Sequence, residues 1–461
     1  MPKKNLNIYF IIFTLFLTCL NVNAVADDIL NNIPLSAPAY LWHASPDILW
    51  IQLKQTSLIH LQTALNNTTD ITERGWLNLA IISKQENNNS QALANALLSW
   101  RKEFPTHPGN DLFPDDNALF SLISTTPPAH IALLLPLTGS FARLGLAVRD
   151  GFLKAYYESL NKNHTHETIS FYDTNQLTDI NALYKKALSD GAELIIGPLT
   201  KQAVMELANN NRLSAPVIAL NYTGYTLPTH FYEYGLSSKD ETLQVANKAW
   251  QEGATHAIII ADKNNWGLNT AKLLSTAWQS LGGTISDTYY FPQSTNYSAD
   301  IAKLMHVDPD KDREIMRQNN DKTILVGQRR QDFDVIFLLV GARSARIIVP
   351  LLKYYYANNI PIYATSAING GILTLQKNSD LEGVRFPDMP WILNSNQILH
   401  DLPLSRLYAM GLDAYLLSHE LIRLTLLPSF PIYASTGALT LNENQAIYRR
   451  MPWTEIHANH S

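Results

Sequence analysis

The pattern of apolar and polar positions changes along the chain and divides it near residue 128. Beyond that point, short apolar runs alternate with amphipathic segments of ten or more residues, beginning with "HIALLLPL" and "LGLAVRDGFLKAYYESL". Short apolar runs followed by helical periodicity predict buried strands joined by helices. The pattern therefore predicts βαβ units and a parallel, doubly wound α/β sheet.

This alternation occurs in two series, which predicts two lobes. The first series ends at the strand-like "APVIALNYT", and the second begins near Ser237 with "KDETLQVANKAWQEG" and "HAIIIAD". A Gly-Ala pair precedes a buried run at both Gly191 and Gly253, as expected where a helix ends at glycine before the next strand. We expect each lobe to have its own sheet.

Residues 27–126 are predicted to form a helical domain and a linker, with helical periodicity from Pro46 to about Pro105. The segments are "PDILWIQLKQTSLIHLQTAL", "TERGWLNLAIISKQ" and "SQALANALLSWRKEFP". The last two resemble one tetratricopeptide helix hairpin, and a plain helical bundle fits the same residues. Pro127 and Pro128 form the sharpest break in the linker that follows.

The N-terminus has the three parts of a secretory leader: basic "MPKKN", apolar "LNIYFIIFTLFLTCL" and the small-residue exit "NVNAVADD". Two processing routes remain open. Signal peptidase would remove a peptide ending at Ala24 or Ala26, whereas lipoprotein processing would cut before Cys19 and acylate it. The flank "FLTC" departs from the usual lipobox at Phe16 and Thr18. Since Cys19 is the only cysteine, no disulfide holds the fold.

The composition argues against nucleic acid and metal ions as binding partners. The formal net charge is -5 and charged residues make up 16% of the chain, so no basic surface for nucleic acid is predicted. The 13 histidines are scattered, and we expect no metal site or cofactor. The run "DPDKDREIMRQNNDK" (308–322) is interpreted as a solvated excursion from the second lobe.

The loops at the carboxyl ends of the predicted strands hold the candidate binding residues, because α/β proteins place their sites there. The loops carry hydroxyls and amides but no phosphate-loop, nucleophile-elbow or zinc motif. The residues predicted to line a cleft between the lobes are Thr138, Gly139, Ser140, Thr200, Asn221 and Thr223. Hydroxyls at helix starts either cap the helix or hold a ligand carboxylate, and both interpretations remain open for Thr138, Ser140 and Thr200.

Two further sets of charged residues are ambiguous. Asp173 follows a predicted strand and is interpreted as a turn cap or, alternatively, a base. Arg329 and Arg330 precede a buried strand and either pair with local carboxylates or face a partner. Enzyme chemistry is not predicted.

Several stretches resemble the LppC/LpoA family of penicillin-binding protein activators. They include "IALLLPLTGSFARLGLAVRDGFLKAYY", "GAELIIGPLTKQAV", "RRQDFDVIFLLVGARSARIIVPLLKYYYANNIPIYATS" and "LEGVRFPDMPWIL", in order across residues 129–450. The stretch "WLNLA…SWRKEFPTHP" resembles the family's tetratricopeptide-like N-terminal domain, in a shorter version.

The resemblance implies a short helical domain followed by a two-lobed domain (129–461) of the type I periplasmic binding protein fold. It places lobe one at about 129–236 and 391–430, and lobe two at about 237–386 and 435–457. Chain crossings are expected near Gly235–Asp240, Gly383–Pro390 and Pro431–Thr440. It also implies a periplasmic regulator of peptidoglycan synthesis, attached to the outer membrane, that binds and activates a class A penicillin-binding protein. The alternative is a periplasmic solute receptor for an amino acid or cell-wall fragment.

Overall fold

The computed structural model describes residues 42, 45–87, 89–163, 167–176, 179–210, 213–291, 296–308, 329–371, 379–395 and 401–457. The predicted leader with Cys19, and nearly all of the predicted excursion 308–322, lie outside these residues. Within them, no helix combines the length and the apolar character needed to cross a membrane.

Five α-helices precede the first strand in the part of the chain that the structure describes. They are α1 (Pro46–Gln55), α2 (Leu58–Asn67), α3 (Ile71–Gln85), α4 (Ser90–Glu103) and α5 (Asp116–Ile123). Side-chain caps set several of the helix starts: Asp70 accepts from the N–H groups of Thr72 and Glu73 at 2.8 and 2.9 Å. The buried faces meet in a core around Trp50, Trp76 and Trp100.

Fourteen strands follow in the described residues. In order they are β1 (His130–Leu135), β2 (Thr168–Asp173), β3 (Leu194–Ile196), β4 (Val217–Ala219), β5 (Phe231–Tyr234), β6 (His256–Asp262), β7 (Thr284–Phe291), β8 (Val335–Leu339), β9 (Ile362–Ala364), β10 (Val384–Pro387), β11 (Ile432–Ala434), β12 (Gly437–Leu441), β13 (Ala446–Arg450) and β14 (Trp453–Glu455). The helices among them are α6 (Ala142–Asn163), α7 (Ile180–Ser189), α8 (Lys201–Ala208), α9 (Ser238–Gln251), α10 (Asn265–Ser280), α11 (Tyr297–Leu304), α12 (Ala342–Leu352), α13 (Pro390–Leu393) and α14 (Leu402–Leu426).

The strands form two sheets in two compact units. The first unit comprises Met1–Gly235, Pro390–Asn394 and Arg406–Pro452, and its eight strands are ordered β11-β12-β13-β5-β4-β3-β1-β2. The second comprises Leu236–Met389, Ser395–Ser405 and Trp453–Ser461, with the order β14-β10-β9-β8-β6-β7. Strands β1 to β5 are parallel, as are β6 to β10, so the predicted doubly wound α/β fold is confirmed.

The predicted placement of residues 435–457 in lobe two is wrong for most of that segment. β13 pairs in parallel with β5 (Ala446 opposite Glu233), and β12 pairs antiparallel with β13, so both extend the first sheet. Only β14 joins the second sheet, against β10. The last crossing therefore falls between Pro452 and Trp453, not at Pro431–Thr440, because strand pairing holds the hairpin on the first sheet.

The helical segment shares its core with the first unit. Leu427 and Phe430, which follow α14, are fully buried among the helical residues, and the Phe430 ring lies 5.2 Å from that of Trp50. The indole N–H of Trp50 donates to the Ser429 carbonyl at 2.8 Å. The bonded residues Trp50 and Ser429 are 379 positions apart, so helical periodicity could not predict this contact.

Candidate functional site

The predicted binding residues lie at one edge of the first sheet. Thr138, Gly139 and Ser140 follow β1, Thr200 follows β3, and Asn221 and Thr223 follow β4. Because these strands are parallel and adjacent, their carboxyl ends lie along the same edge. The structure describes this edge within the first unit, and a ligand role for these residues stays a prediction.

Asp173 organises the first two loops. Its Oδ1 accepts from the N–H groups of Leu137 and Asn175 at 2.9 and 3.0 Å, and its Oδ2 accepts from the Thr138 hydroxyl at 2.6 Å. Burial raises the pKa of Asp173, but the bonds from Thr138, Asn175 and Leu137 outweigh burial and leave the pKa below its usual value. A carboxylate held ionised by these three donors is a turn cap, as the first interpretation predicted, and a poor proton acceptor near neutral pH.

Gly139 has a conformational role at this edge. Its φ is +74°, which favours glycine, and a Cβ there would lie 2.6 Å from the Asn175 Nδ2. The Asn175 amide in turn donates to the Thr138 hydroxyl at 3.3 Å. Thr138, Gly139 and Ser140 are all exposed, and the loop that they form is held by Asp173 and Asn175.

The capping interpretation fails at Thr200. Thr200 occupies the N-cap position of α8, yet its side chain makes no capping hydrogen bond. The Thr138 hydroxyl bonds Asp173 rather than a helix N–H group. Hydroxyl side chains at helix starts are common caps. The Thr138 hydroxyl does not act as one because it donates to Asp173 at the end of β2.

The last two predicted residues, Asn221 and Thr223, also make structural bonds. The Asn221 amide donates to the Leu199 carbonyl at 3.1 Å, which ties the loop after β4 to the loop after β3. The Thr223 N–H donates to Glu233 at 2.5 Å, and burial raises the pKa of this glutamate. Asn221 and Leu199 thus connect neighbouring loops, whereas Thr223 is anchored to β5.

In the second unit, an aspartate at the end of a strand again bonds a neighbouring loop. Asp262, at the end of β6, accepts from the Gly341 N–H at 3.0 Å. Arg330 pairs with Asp287 and Asp332 at 2.8 and 2.6 Å, whereas Arg329 donates to the Tyr356 carbonyl at 3.0 Å. Arg330 therefore pairs with local carboxylates, the first of its two interpretations. Among the described residues, no three His, Cys, Asp or Glu side chains are grouped as metal ligands.

Sequence reasoning missed a groove beside β2. It has a volume of about 430 Å³ and is lined by Ser170, Phe171, Tyr172, Asp173, Gln176, Leu183, Lys186 and Asp190. The Tyr172 hydroxyl donates to Asp190 at 2.8 Å, and Lys186 pairs with the same carboxylate at 3.0 Å. No local motif marks these residues, because the groove is formed by the packing of α7 beside β2.

Comparison with known proteins identifies the same architecture elsewhere. A solved full-length LpoA from Haemophilus influenzae superposes with a TM-score of 0.60 at 24% identity, over 89% of this chain and 72% of its own. The solved C-domain of LpoA from the same organism, described as a regulator of PBP1A, gives a TM-score of 0.56 at 25% identity and covers 71% of this chain and 97% of its own. The fold is that of the type I periplasmic binding proteins, shared with solved proteins described as branched-chain amino acid ABC transporters.

Sequence comparison agrees with the structural comparison. A penicillin-binding protein activator LpoA from Pasteurella multocida is 28% identical over 431 residues, which cover 90% of this chain and 68% of the relative. The family model described as "LppC putative lipoprotein" matches residues 33–459. The chain therefore belongs to the LppC lipoprotein family.

Proposed function

We propose that this protein binds a class A penicillin-binding protein and activates it. The observation that carries this proposal is the family match over residues 33–459, together with relatives named penicillin-binding protein activators. The related C-domain described as a regulator of PBP1A has the same fold as most of this chain. The partner would be the cell-wall synthase itself, and no nucleic acid is involved.

We propose that activation is by contact and not by catalysis. Several side chains at the strand-end edge make bonds that hold loops together, as Asp173 holds Leu137, Thr138 and Asn175. A general base needs an accessible lone pair and a pKa near the working pH. The lowered pKa of Asp173 opposes that role, so binding energy would have to act on the partner's own active site.

The mature chain is proposed to lie in the periplasm, tethered to the inner face of the outer membrane through a lipid on Cys19. The support is the secretory leader together with membership of a lipoprotein family. An intact mass of the mature protein tests the tether. Diacylation at Cys19 supports it, whereas a chain that starts at Val25 or Asp27 overturns it.

The function is tested with the purified mature chain and the class A penicillin-binding protein of the source bacterium. We expect the two to co-purify, and we expect the fraction of cross-linked peptides in newly made peptidoglycan to rise when the chain is added. A reaction that receives the same chain after heat denaturation is the control. Absence of binding, together with unchanged cross-linking in a deletion strain, would overturn the proposal.

A solute receptor is the competing function, and it is favoured by the shared fold with proteins described as ABC transporters. A ligand that binds only the folded state raises the melting temperature by mass action. A screen of amino acids and cell-wall fragments therefore separates the two: a large shift with one compound favours the receptor, and no shift favours the activator.

A further inference from the structure

The two sheets have four outer strands in the described part of the chain, and three of them are protected against pairing with another strand. β11 is three residues long, and the Asn87 side chain hydrogen-bonds both backbone groups of its central residue, Tyr433. The Asn87 amide donates to the Tyr433 carbonyl at 2.7 Å and accepts from the Tyr433 N–H at 2.6 Å. β14 is also three residues long, and Glu455 on it pairs with Arg385 at 2.9 Å.

β7 is longer, but it carries two devices that discourage strand addition. Its register against β6 shifts between Ala257 and Ile258, and Asp287 on the strand is paired with Arg330 at 2.8 Å. Bulges and charged side chains are the usual protection of an edge strand. In addition, the Ser286 hydroxyl donates to the Asp332 carbonyl, which places the segment before β8 beside the strand.

β2 occupies the position in the first sheet that β7 has in the second, and both strands begin with Thr-Ile-Ser. In the described residues β2 has no bulge, and its one charged residue, Asp173, lies at its carboxyl end and holds the loops there. It is six residues long, contains neither proline nor lysine, and keeps an unbroken parallel register with β1 from His130–Thr168 to Leu135–Asp173. Its Phe171 side chain is 37% exposed.

The orientation of the β2 peptide groups follows from the two-residue period of a strand. The Thr168 and Thr174 N–H groups donate to the carbonyls of Ala129 and Leu135, so even-numbered residues face β1. The peptide groups of Ile169 and Phe171 therefore point away from the sheet. Two N–H groups and two carbonyls are thus presented to an incoming strand.

The groove beside β2 runs along that edge and supplies side-chain contacts. Tyr172 is buried, and its hydroxyl bond to Asp190, together with the Lys186–Asp190 pair, fixes the polar side of the groove. Leu183 of α7 supplies an apolar floor. An extended peptide needs these features: free backbone groups along one edge, and a groove for alternate side chains.

We propose that the β2 edge binds an extended segment of the activated penicillin-binding protein as an added strand. This inference rests on the proposed function and names the surface that carries it out. A second copy of this chain fits less well, because pairing β2 with β2 would bring the exposed Lys185 and Lys186 of two α7 helices toward one another. A pair of six-residue strands would also bury far less than the roughly 1,200 Å² of a stable dimer.

The test compares Phe171→Pro with Phe171→Ala in the full mature chain. Both substitutions remove the ring, but only proline removes the outward N–H, and proline is tolerated on an edge strand whose N–H faces solvent. We expect Phe171→Pro to bind the penicillin-binding protein about tenfold more weakly than Phe171→Ala, since one hydrogen bond is lost and one acceptor of the partner is left unpaired. Ile169→Pro and Ile169→Ala form a second matched pair.

The outcomes separate this inference from the function on which it rests. If wild type does not bind, both fail. If wild type binds and the proline and alanine variants bind equally, strand addition is wrong while the activator function stands. Oligomerisation of the wild type that Phe171→Pro abolishes, with partner binding unchanged, would assign β2 to a second copy instead.

Residue-resolved hydrogen exchange covers the case in which a proline variant fails to fold. In wild type, the Ile169 and Phe171 amides should gain protection when the partner is added, whereas Ser170 and Tyr172, already bonded to β1, should change little. Equal changes at all four positions, or none, would overturn strand addition.

Discussion

Buried and half-buried carboxylates hold several loops of this protein in place by accepting hydrogen bonds from them. Asp173 holds the two loops after β1 and β2, and Asp413 on α14 does the same for the turn between β11 and β12. Asp413 accepts from the Ser435 and Thr436 N–H groups, both at 2.7 Å, and from the Tyr234 hydroxyl at 3.1 Å. Complete burial raises the pKa of Asp413, whereas the less buried Asp173 has a lowered pKa. The pKa rises where desolvation by burial is the larger effect, and it falls where hydrogen bonds to the carboxylate outweigh burial.

Asp173→Asn should lower the free energy of unfolding by about 1–2 kcal/mol near neutral pH, because bonds to an ionised oxygen are replaced by weaker ones. The folded-state pKa lies below the ordinary value of 3.8. The stabilisation is therefore present above pH 3.8 and is lost as pH falls through the folded-state pKa. Urea unfolding of both proteins over a pH series should show the difference shrinking in acid.

The exposed Asp380 supplies the matched control for this substitution. Asp380→Asn should leave the free energy of unfolding nearly unchanged across the same pH range. A difference between wild type and Asp173→Asn that grows in acid would contradict the assignment of Asp173 as an ionised cap.

Helix α14 is the element that joins distant parts of the first unit. It crosses α6 at two glycines: a Cβ on Gly151 would lie 2.0 Å from the Tyr408 carbonyl, and one on Gly411 would lie 2.1 Å from the Val148 carbonyl. Farther along α14, Arg423 is fully buried and donates to the Asn87 carbonyl. The segment after the helix brings Leu427 and Phe430 into the helical core. α14 therefore packs against both the α/β layer and the N-terminal helices.

Phe430→Ala should destabilise the protein by about 3–5 kcal/mol, the usual cost of removing a buried aromatic ring and leaving a cavity. The Phe430 ring is fully buried and lies 5.2 Å from Trp50 and 5.9 Å from Phe113. Chemical denaturation measures the change. Phe120→Ala is the matched control, since Phe120 on α5 is 54% exposed and its removal should change stability by less than about 0.5 kcal/mol.

At the scale of the whole molecule, the helical segment and the first sheet fold as parts of one compact unit. Removing the helices would uncover Leu427, Phe430 and the edge strand β11, which Asn87 otherwise covers. This dependence concerns stability and solubility, and it is separate from the surface proposed to bind the partner, since β11 and β2 lie at opposite ends of the sheet order.

A fragment comprising residues 129–461 should melt at a lower temperature than the mature chain and bind an apolar fluorescent dye. The newly exposed Leu427 and Phe430 are the reason. The same fragment with Leu427→Gln and Phe430→Gln is the control and should bind less dye. A fragment with an unchanged melting temperature and no dye binding would show that the helical core contributes nothing to the first unit.

The periodic elements were predictable because their signals are local. The helices of residues 46–103 and the strands β1 to β4 and β6 to β9 follow from the spacing of apolar residues and from glycines at helix ends, whereas β5 lies between the two predicted series and was not predicted. Asp173 as a turn cap was likewise foreseen, because an aspartate after a strand has few other local uses. The placement of most of residues 435–457 in lobe two was wrong because strand pairing between β13 and β5 joins segments more than 200 residues apart, which local patterns do not show.

Thus the sequence by itself determined the α/β class, the two series of strands, the helical N-terminal segment and, through its resemblance, the family. Only the tertiary structure decided that β12 and β13 belong to the first sheet, that Thr138 bonds Asp173 instead of capping a helix, and that β2 is the least protected outer strand among the described residues. The physical reason is that the spacing of apolar residues depends only on neighbouring positions in the chain. Strand order and hydrogen-bond partners depend instead on which segments, distant in sequence, pack together.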